Sequence, residues 1–221
     1  MNPTLCQGIS LISSWSLILL TVCLLLFFAV NLHNILRYHR TSPANEVKPE
    51  ADRPNGYIVG LAAFGTALFF LESFLYLLLG ILNGRLSQLA LLDLSVMNIA
   101  ILEFLGASIM VVGYTVFIWS VIARGRYTTS WAMPAKQRLV DWGPYRYVRH
   151  PSYLGYFLMF VGFFLMWHNI LALIPFVAVP GYVLVTVHEE EMLMERFGEE
   201  YLQYRRRVGR FLPKTDPRKS R

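Results

Sequence analysis

Ser152-Tyr-Leu-Gly-Tyr-Phe-Leu-Met-Phe-Val-Gly-Phe-Phe-Leu-Met-Trp167 is followed by His168-Asn169 and then by Ile170-Leu-Ala-Leu-Ile-Pro-Phe-Val-Ala-Val-Pro-Gly-Tyr-Val-Leu-Val-Thr-Val187. Two uncharged apolar runs joined by two residues read as a tight helical hairpin. Both are shorter than an ordinary membrane span, which is compatible with tilting or incomplete crossing of one or both. Three longer apolar runs precede them: Ile9 to Leu32, Tyr57 to Leu82 and Asn98 to Ala123. Each is long enough to cross about 30 Å of hydrocarbon as a helix. With 55% hydrophobic and 15% charged residues over 221 positions, the chain is too apolar for a soluble domain. The expected fold is an all-α integral membrane protein with about five transmembrane helices, the last two a hairpin, followed by an amphipathic C-terminal helix. One membrane domain is expected over 1–221, with three spans in 1–123 and a loop, hairpin and C-terminal cap in 124–221.

Lys plus Arg number 0 before the first run, then 4, 1, 6, 0 and 9 in the successive segments outside the apolar runs. This alternation predicts an outside N-terminus and a cytoplasmic C-terminus. The net charge of +6 is therefore a topology signal, set against anionic headgroups, and nucleic-acid binding is not needed to explain it. The first run lacks a basic leader and a small-residue cleavage site after Asn31 and His33, so it reads as a retained span. Cys6 and Cys23 have no paired spacing, which argues against a disulfide framework or a thiolate metal site. No Gly-x-Gly occurs, and neither a phosphate-cradling loop nor metal-ligand spacing is present, so a soluble nucleotide fold has no support.

Polar chemistry collects on both sides of the hairpin. Ahead of it stands Gly143-Pro-Tyr-Arg-Tyr-Val-Arg-His-Pro-Ser-Tyr-Leu-Gly155; behind it come Glu189-Glu-Glu-Met-Leu193 and Phe197-Gly-Glu-Glu-Tyr201. Under the predicted topology both blocks lie at the same cytoplasmic mouth, where ionisable groups are costly unless they hold something. Pro151 suits the first turn of a helix beginning near His150. Such a start offers unpaired N–H groups and the positive dipole end to an anionic ligand group. The tail is expected to be helical from about His188 to Arg207, with Leu193, Phe197, Tyr201, Tyr204 and Val208 forming one apolar stripe. Extending that stripe backwards turns Glu189 inward, with Glu190 beside it and Glu191 toward solvent. Arg146 and Arg149 are assigned to headgroup contact. Glu72 and Glu103, at membrane depth, read equally as functional acids or as hydrogen-bonded helix contacts. Gly106 and Gly113 give the third span a small face suited to close packing.

The Arg-His-Pro-x-Tyr-x-Gly, Glu-Glu-x-x-Leu and Phe-Gly-x-x-Tyr-x-x-Tyr runs, in that order over Trp131 to Pro213, resemble the isoprenylcysteine carboxyl methyltransferase family. The resemblance implies a cytoplasm-facing site for S-adenosyl-L-methionine, capped by the tail, and a lipid-like acceptor entering from the bilayer. Cofactor contacts carried over in this way are Leu139, Val140, Tyr145, His150, Pro151, Ser152, Tyr153 and Glu189, with Gln137 and Arg138 in the same stretch. Val185 stands where prenylcysteine enzymes carry an arginine four residues before the first Glu of the pair. Either another residue, such as Arg126 or Arg149, meets the acceptor carboxylate, or the acceptor is a different apolar molecule. The leading expectation is carboxyl O-methylation of an isoprenylcysteine-type substrate. Behind it stand methylation of a phospholipid amine or small thiol, an NADPH-dependent sterol-type reductase, and a scaffold without enzymatic activity.

Overall fold

A helix in hydrocarbon must satisfy its own backbone, and its neighbours must then be held by packing and by buried side-chain hydrogen bonds, since lipid is as apolar as leucine. Both devices are visible in the computed structural model of the chain, which describes residues 12–41, 56–82, 94, 99–125 and 138–214. The helices are α1 (Ser14–Thr41), α2 (Gly56–Ile81), α3 (Ile99–Arg124), α4 (Pro151–Trp167), α5 (Ala178–Phe197) and α6 (Glu199–Arg207). Short 3-10 segments at Gly143–Arg146 and Ile170–Val177 precede α4 and α5.

Among the described residues four segments are long and apolar enough to cross a membrane: Ser14–Arg37, Gly56–Ile81, Ala100–Arg124 and Ile170–Phe197. The expected fifth, α4, has 17 residues. At 1.5 Å per residue it is about 25 Å long, less than the usual hydrocarbon thickness. Ile18, Leu25, Leu71, Ile101, Phe104 and Ile122 stand well exposed on the outer faces of α1, α2 and α3, where lipid would cover them. The chain is thus a multi-pass integral membrane protein.

Glycine sets the tightest helix contact. A Cβ on Gly106 would lie 2.5 Å from the Met166 amide nitrogen, and one on Gly113 would lie 2.7 Å from that of Met159, so α3 and α4 touch backbone to backbone. The small face expected on the third span is therefore a packing face. On the other side, α5 closes on α2: Gly65 faces Ala178, Gly181 faces Ala62, and the Thr66 and Tyr182 hydroxyls share a hydrogen bond of 2.6 Å. Between these pairs lies an aromatic core of Phe27, Phe69, Phe117, Phe160 and Phe163, with α1 tied in by a 2.8 Å bond between Ser16 Oγ and Tyr76 Oη.

Several expectations change here. α1 runs on to Thr41, past the apolar run that ended at Leu32. The second arm of the hairpin begins as a 3-10 turn holding Pro175, after His168 turns the chain with φ 54°. The tail does not start a helix of its own at His188: α5 continues unbroken through the predicted membrane exit to Phe197, and Gly198, with φ 51°, breaks it before α6. The apolar stripe is real across that break, since Tyr201, Tyr204 and Val208 are buried together against Leu193 and Phe197. Glu103 is a helix contact, taking a hydrogen bond from the Ser13 hydroxyl. Glu72 is buried, with Oε2 unpartnered among the described residues.

The glycine contacts yield a direct test. Gly106→Val should push α3 off α4, and overpacking of this kind costs about 1–3 kcal/mol or more. The variant is expected to show a lower thermal midpoint in detergent than Gly60→Val, whose Cβ would meet nothing within 4 Å.

Candidate functional site

Both polar blocks arrive at one end of the bundle because α4 starts where α3 and α5 end. Ser120 on the last turns of α3 hydrogen-bonds Ser152 at 2.8 Å, and Trp142 Nε1 donates to the Ala123 carbonyl at 2.9 Å, so the incoming loop is pinned across the end of α3. Pro151 occupies the first turn of α4, as its fixed φ and missing N–H favour. Among the described residues no side chain caps that turn; His150, the N-cap residue, turns its ring elsewhere.

The ring goes to the two glutamates. His150 Nδ1 lies 3.4 Å from Glu189 Oε2, and Nε2 lies 3.1 Å from Glu190 Oε1. Tyr153, one turn along α4, donates to Glu189 Oε1 at 2.6 Å and stacks on His150 with ring centroids 5.8 Å apart. His150 is buried, which opposes its charge. Hydrogen bonds to Glu189 and Glu190, and their negative charge, outweigh that penalty and raise it above the usual imidazole value of 6.5. With an acid at each nitrogen, the doubly protonated imidazolium is the form that satisfies both.

Glu190 is the more buried acid, at 4% exposure. Its Oε1 accepts from Arg149 Nη2 at 2.8 Å and Nε at 3.1 Å, from His150 Nε2 and from Arg210 Nε at 3.0 Å. Its Oε2 accepts from Arg210 Nη2 at 3.2 Å. A single carboxylate thus joins the start of α4, the exit of α5 and the C-terminal segment. That segment is also held by its backbone: Arg149 N–H donates to the Gly209 carbonyl at 2.8 Å and His150 N–H to the Arg210 carbonyl at 3.1 Å. Phe211 packs near His150 and against Phe157, with centroids 6.1 and 5.2 Å away.

Of the residues expected at the site, His150, Tyr153 and Glu189 meet in one hydrogen-bonded group. Pro151 and Ser152 start the helix beneath them, with the Ser152 hydroxyl spent on Ser120. Tyr145 is buried, and its carbonyl accepts from Tyr204 Oη at 2.7 Å. Leu139 packs against the α6 cluster, Val140 is half-buried and Arg138 is exposed. Gln137 lies outside the described residues, as do Arg126 and Cys6. Three groups have a larger part than sequence reasoning gave them. Glu190 ranked behind Glu189, Arg149 was assigned to headgroups although it is buried on Glu190, and Arg210 carried no local signal. The doublet Glu189-Glu190 on a helix with an inward stripe was the clue that both acids face protein. Arg124, at the end of α3, has a buried Nε with no hydrogen-bond partner among the described residues. Its charge acts on the Tyr153 and Tyr156 hydroxyls.

Comparison with known proteins shows what the chain is similar to. The phospholipid methyltransferase family matches residues 101–200, which contain most of α3, all of α4 and α5, and the His150, Tyr153 and Glu189 group. A protein-S-isoprenylcysteine O-methyltransferase of Saccharomyces cerevisiae is 27% identical over 214 residues, covering 86% of this chain and 78% of the yeast protein. The chain is similar to this yeast isoprenylcysteine O-methyltransferase along most of its length. The protein-S-isoprenylcysteine O-methyltransferase of Xenopus laevis is 37% identical over 83 residues, covering 34% of this chain and 27% of that protein, so the chain spans little more than a quarter of its length. A solved structure of a eukaryotic intramembrane Ras methyltransferase, an isoprenylcysteine carboxyl methyltransferase, aligns with a TM-score of 0.45 and 21% identity over 73% of this chain and 54% of that one.

The raised His150 value has a consequence for stability. A group whose folded value lies above its unfolded one stabilises fully below the unfolded value, and loses that contribution as pH rises through the folded one. Thermal midpoints are therefore expected to fall as pH is raised above 6.5, and His150→Gln should flatten that part of the profile.

Proposed function

We propose that this chain is an integral-membrane methyltransferase that uses S-adenosyl-L-methionine and methylates the carboxylate of an isoprenylcysteine-type acceptor. The observation that carries the reading is the meeting of His150, Tyr153 and Glu189 beside the uncapped start of α4. These are the residues the motif blocks single out, within a chain related to such enzymes along most of its length. An acid, an imidazolium, a phenol and a helix N-terminus suit a donor that bears both an amino group and a carboxylate. Glu189 would take the amino group or ribose hydroxyls, and the first turn of α4 the carboxylate. When bound, S-adenosyl-L-methionine supplies an electrophilic methyl group on a sulfonium.

The rest is the work of the chain's own residues. A carboxylate acceptor is already a nucleophile, so no side chain has to remove a proton. Alignment and exclusion of water then supply most of the rate. Tyr153, Tyr182 and Tyr156 lie in a row, Tyr182 tilted against Tyr153 with centroids 4.7 Å apart and stacked on Tyr156 with centroids 5.3 Å apart. This row forms an aromatic wall running from the mouth into the bundle, suited to a prenyl chain arriving from the bilayer. The acceptor carboxylate needs a cation. Arg149 and Arg210 are taken by Glu190, whereas the Nε of Arg124 has no partner among the described residues, so Arg124 is assigned this role in place of the arginine absent at Val185. The mouth faces the cytoplasm in this reading, as the charge alternation predicts.

Calorimetry on the purified protein in detergent tests the donor. S-adenosyl-L-methionine should bind, Glu189→Gln should weaken binding about tenfold or more, and reduced nicotinamide dinucleotide should not bind. Binding of the nicotinamide instead would move the assignment to a reductase. For the acceptor, methylation of acetyl farnesyl cysteine should exceed that of a phosphatidylethanolamine and a small thiol. Arg124→Ala should raise the KM for the farnesyl acceptor about tenfold or more while leaving donor affinity unchanged.

A further inference from the structure

The C-terminal segment reaches the site through one side chain. After Gly209 bridges in parallel to Val148, Arg210 turns its guanidinium back onto Glu190 and engages both carboxylate oxygens. Arg149 and His150 bond Oε1 alone. Arg210 therefore makes the two-pronged contact that stops the carboxylate from rotating about its terminal torsion, which is otherwise broad and soft. If Glu190 turned, Oε1 would leave His150 Nε2, and the imidazole would lose the contact that keeps Nδ1 toward Glu189. Phe211, the next residue, packs beside the same imidazole.

We propose that Arg210 is a positioning residue for the donor site, locking Glu190 so that His150 presents Nδ1 to Glu189, and completing the site only when the C-terminal segment is docked. The proposal rests on the reading of His150, Tyr153 and Glu189 as the donor site. Among the described residues the charged and titratable groups around this network are Arg124 on α3, Arg149 and His150 ahead of α4, Tyr153 on α4, Glu189, Glu191 and Glu195 on α5, Arg205 and Tyr201 on α6, and Arg210 itself. Without Arg210 the carboxylate is free to turn and Oε1 to leave Nε2, so the His150 imidazolium loses a hydrogen bond that holds its proton and gives that proton up at lower pH.

The test measures S-adenosyl-L-methionine affinity of the full chain by calorimetry across roughly pH 6 to pH 9, with thermal unfolding alongside. The variants are Arg210→Ala, Arg210→Lys and the control Arg206→Ala, which removes an exposed side chain of α6. Arg210→Ala is expected to weaken donor binding about tenfold or more and to move the pH midpoint of binding downward. Arg210→Lys should restore part of the affinity, and Arg206→Ala should behave as wild type. Should Arg210→Ala not fold, Arg210→Gln takes its place under the same outcomes. A lower thermal midpoint with wild-type donor affinity and an unmoved pH midpoint overturns the proposal. Wild-type protein that binds no donor removes the donor-site reading, and this proposal with it.

Discussion

A carboxylate buried at the edge of a membrane bundle must be neutralised where it stands, because taking it out of water costs several kcal/mol. Glu190 meets that demand with Arg149, His150 and Arg210, which come from the loop before α4 and from the C-terminal segment. Breaking such a set by removing one partner typically costs about 3–5 kcal/mol, because the others are left buried without compensation. The exit of α5, the entry of α4 and the end of the chain are consequently one rigid unit. The donor-site candidates inherit their geometry from it: His150 is fixed from one nitrogen, and what it can hold is decided at the other.

The bundle beneath makes this possible by dividing the hairpin. α4 lies against α3 through glycine contacts, while α5 lies against α2 through Gly65, Ala178, Ala62 and Gly181. Near the mouth the two arms meet again through the Tyr153, Tyr156 and Tyr182 rings. Backbone contact at glycine leaves no slack along the helix axis, so the level of Tyr153 relative to Glu189 is set by packing deep in the bundle. A substitution at Gly113 or Gly155, far from any reacting atom, would shift that level and be felt at the site.

Much of this was legible along the chain, and the reasons for the misses are physical. Apolar run length reports burial in hydrocarbon, which is a one-dimensional property; the helices of the described residues overlap the apolar runs read from it, with α1 and α5 running further toward the C-terminus. Pro151 marks the start of α4 because proline favours a first helical turn wherever the helix goes. Glu189 was found because the apolar stripe of the tail could be counted back to it. Glu190 was ranked lower because the stripe describes a helix with one inward face, whereas α5 at that level has protein on two sides, α4 on one and the returning chain on the other. Arg149 was given to lipid headgroups because nothing in its neighbours says that a carboxylate from beyond the hairpin lies beside it.

The sequence by itself determined the class of the fold, the small face of α3 and the three residue types that gather at the mouth. These follow from local hydrophobicity, helical period and the conformational limits of proline and glycine. Only the tertiary structure decided which acid is the hub, that α5 runs unbroken past His188 before Gly198 ends it, that Arg149 and Arg210 are spent on Glu190, and that the Nε of Arg124 is left unpartnered among the described residues. Ion pairing is satisfied across space, and residues distant in sequence compete for one carboxylate; the winner depends on distances of a few ångströms that no periodicity along the chain encodes.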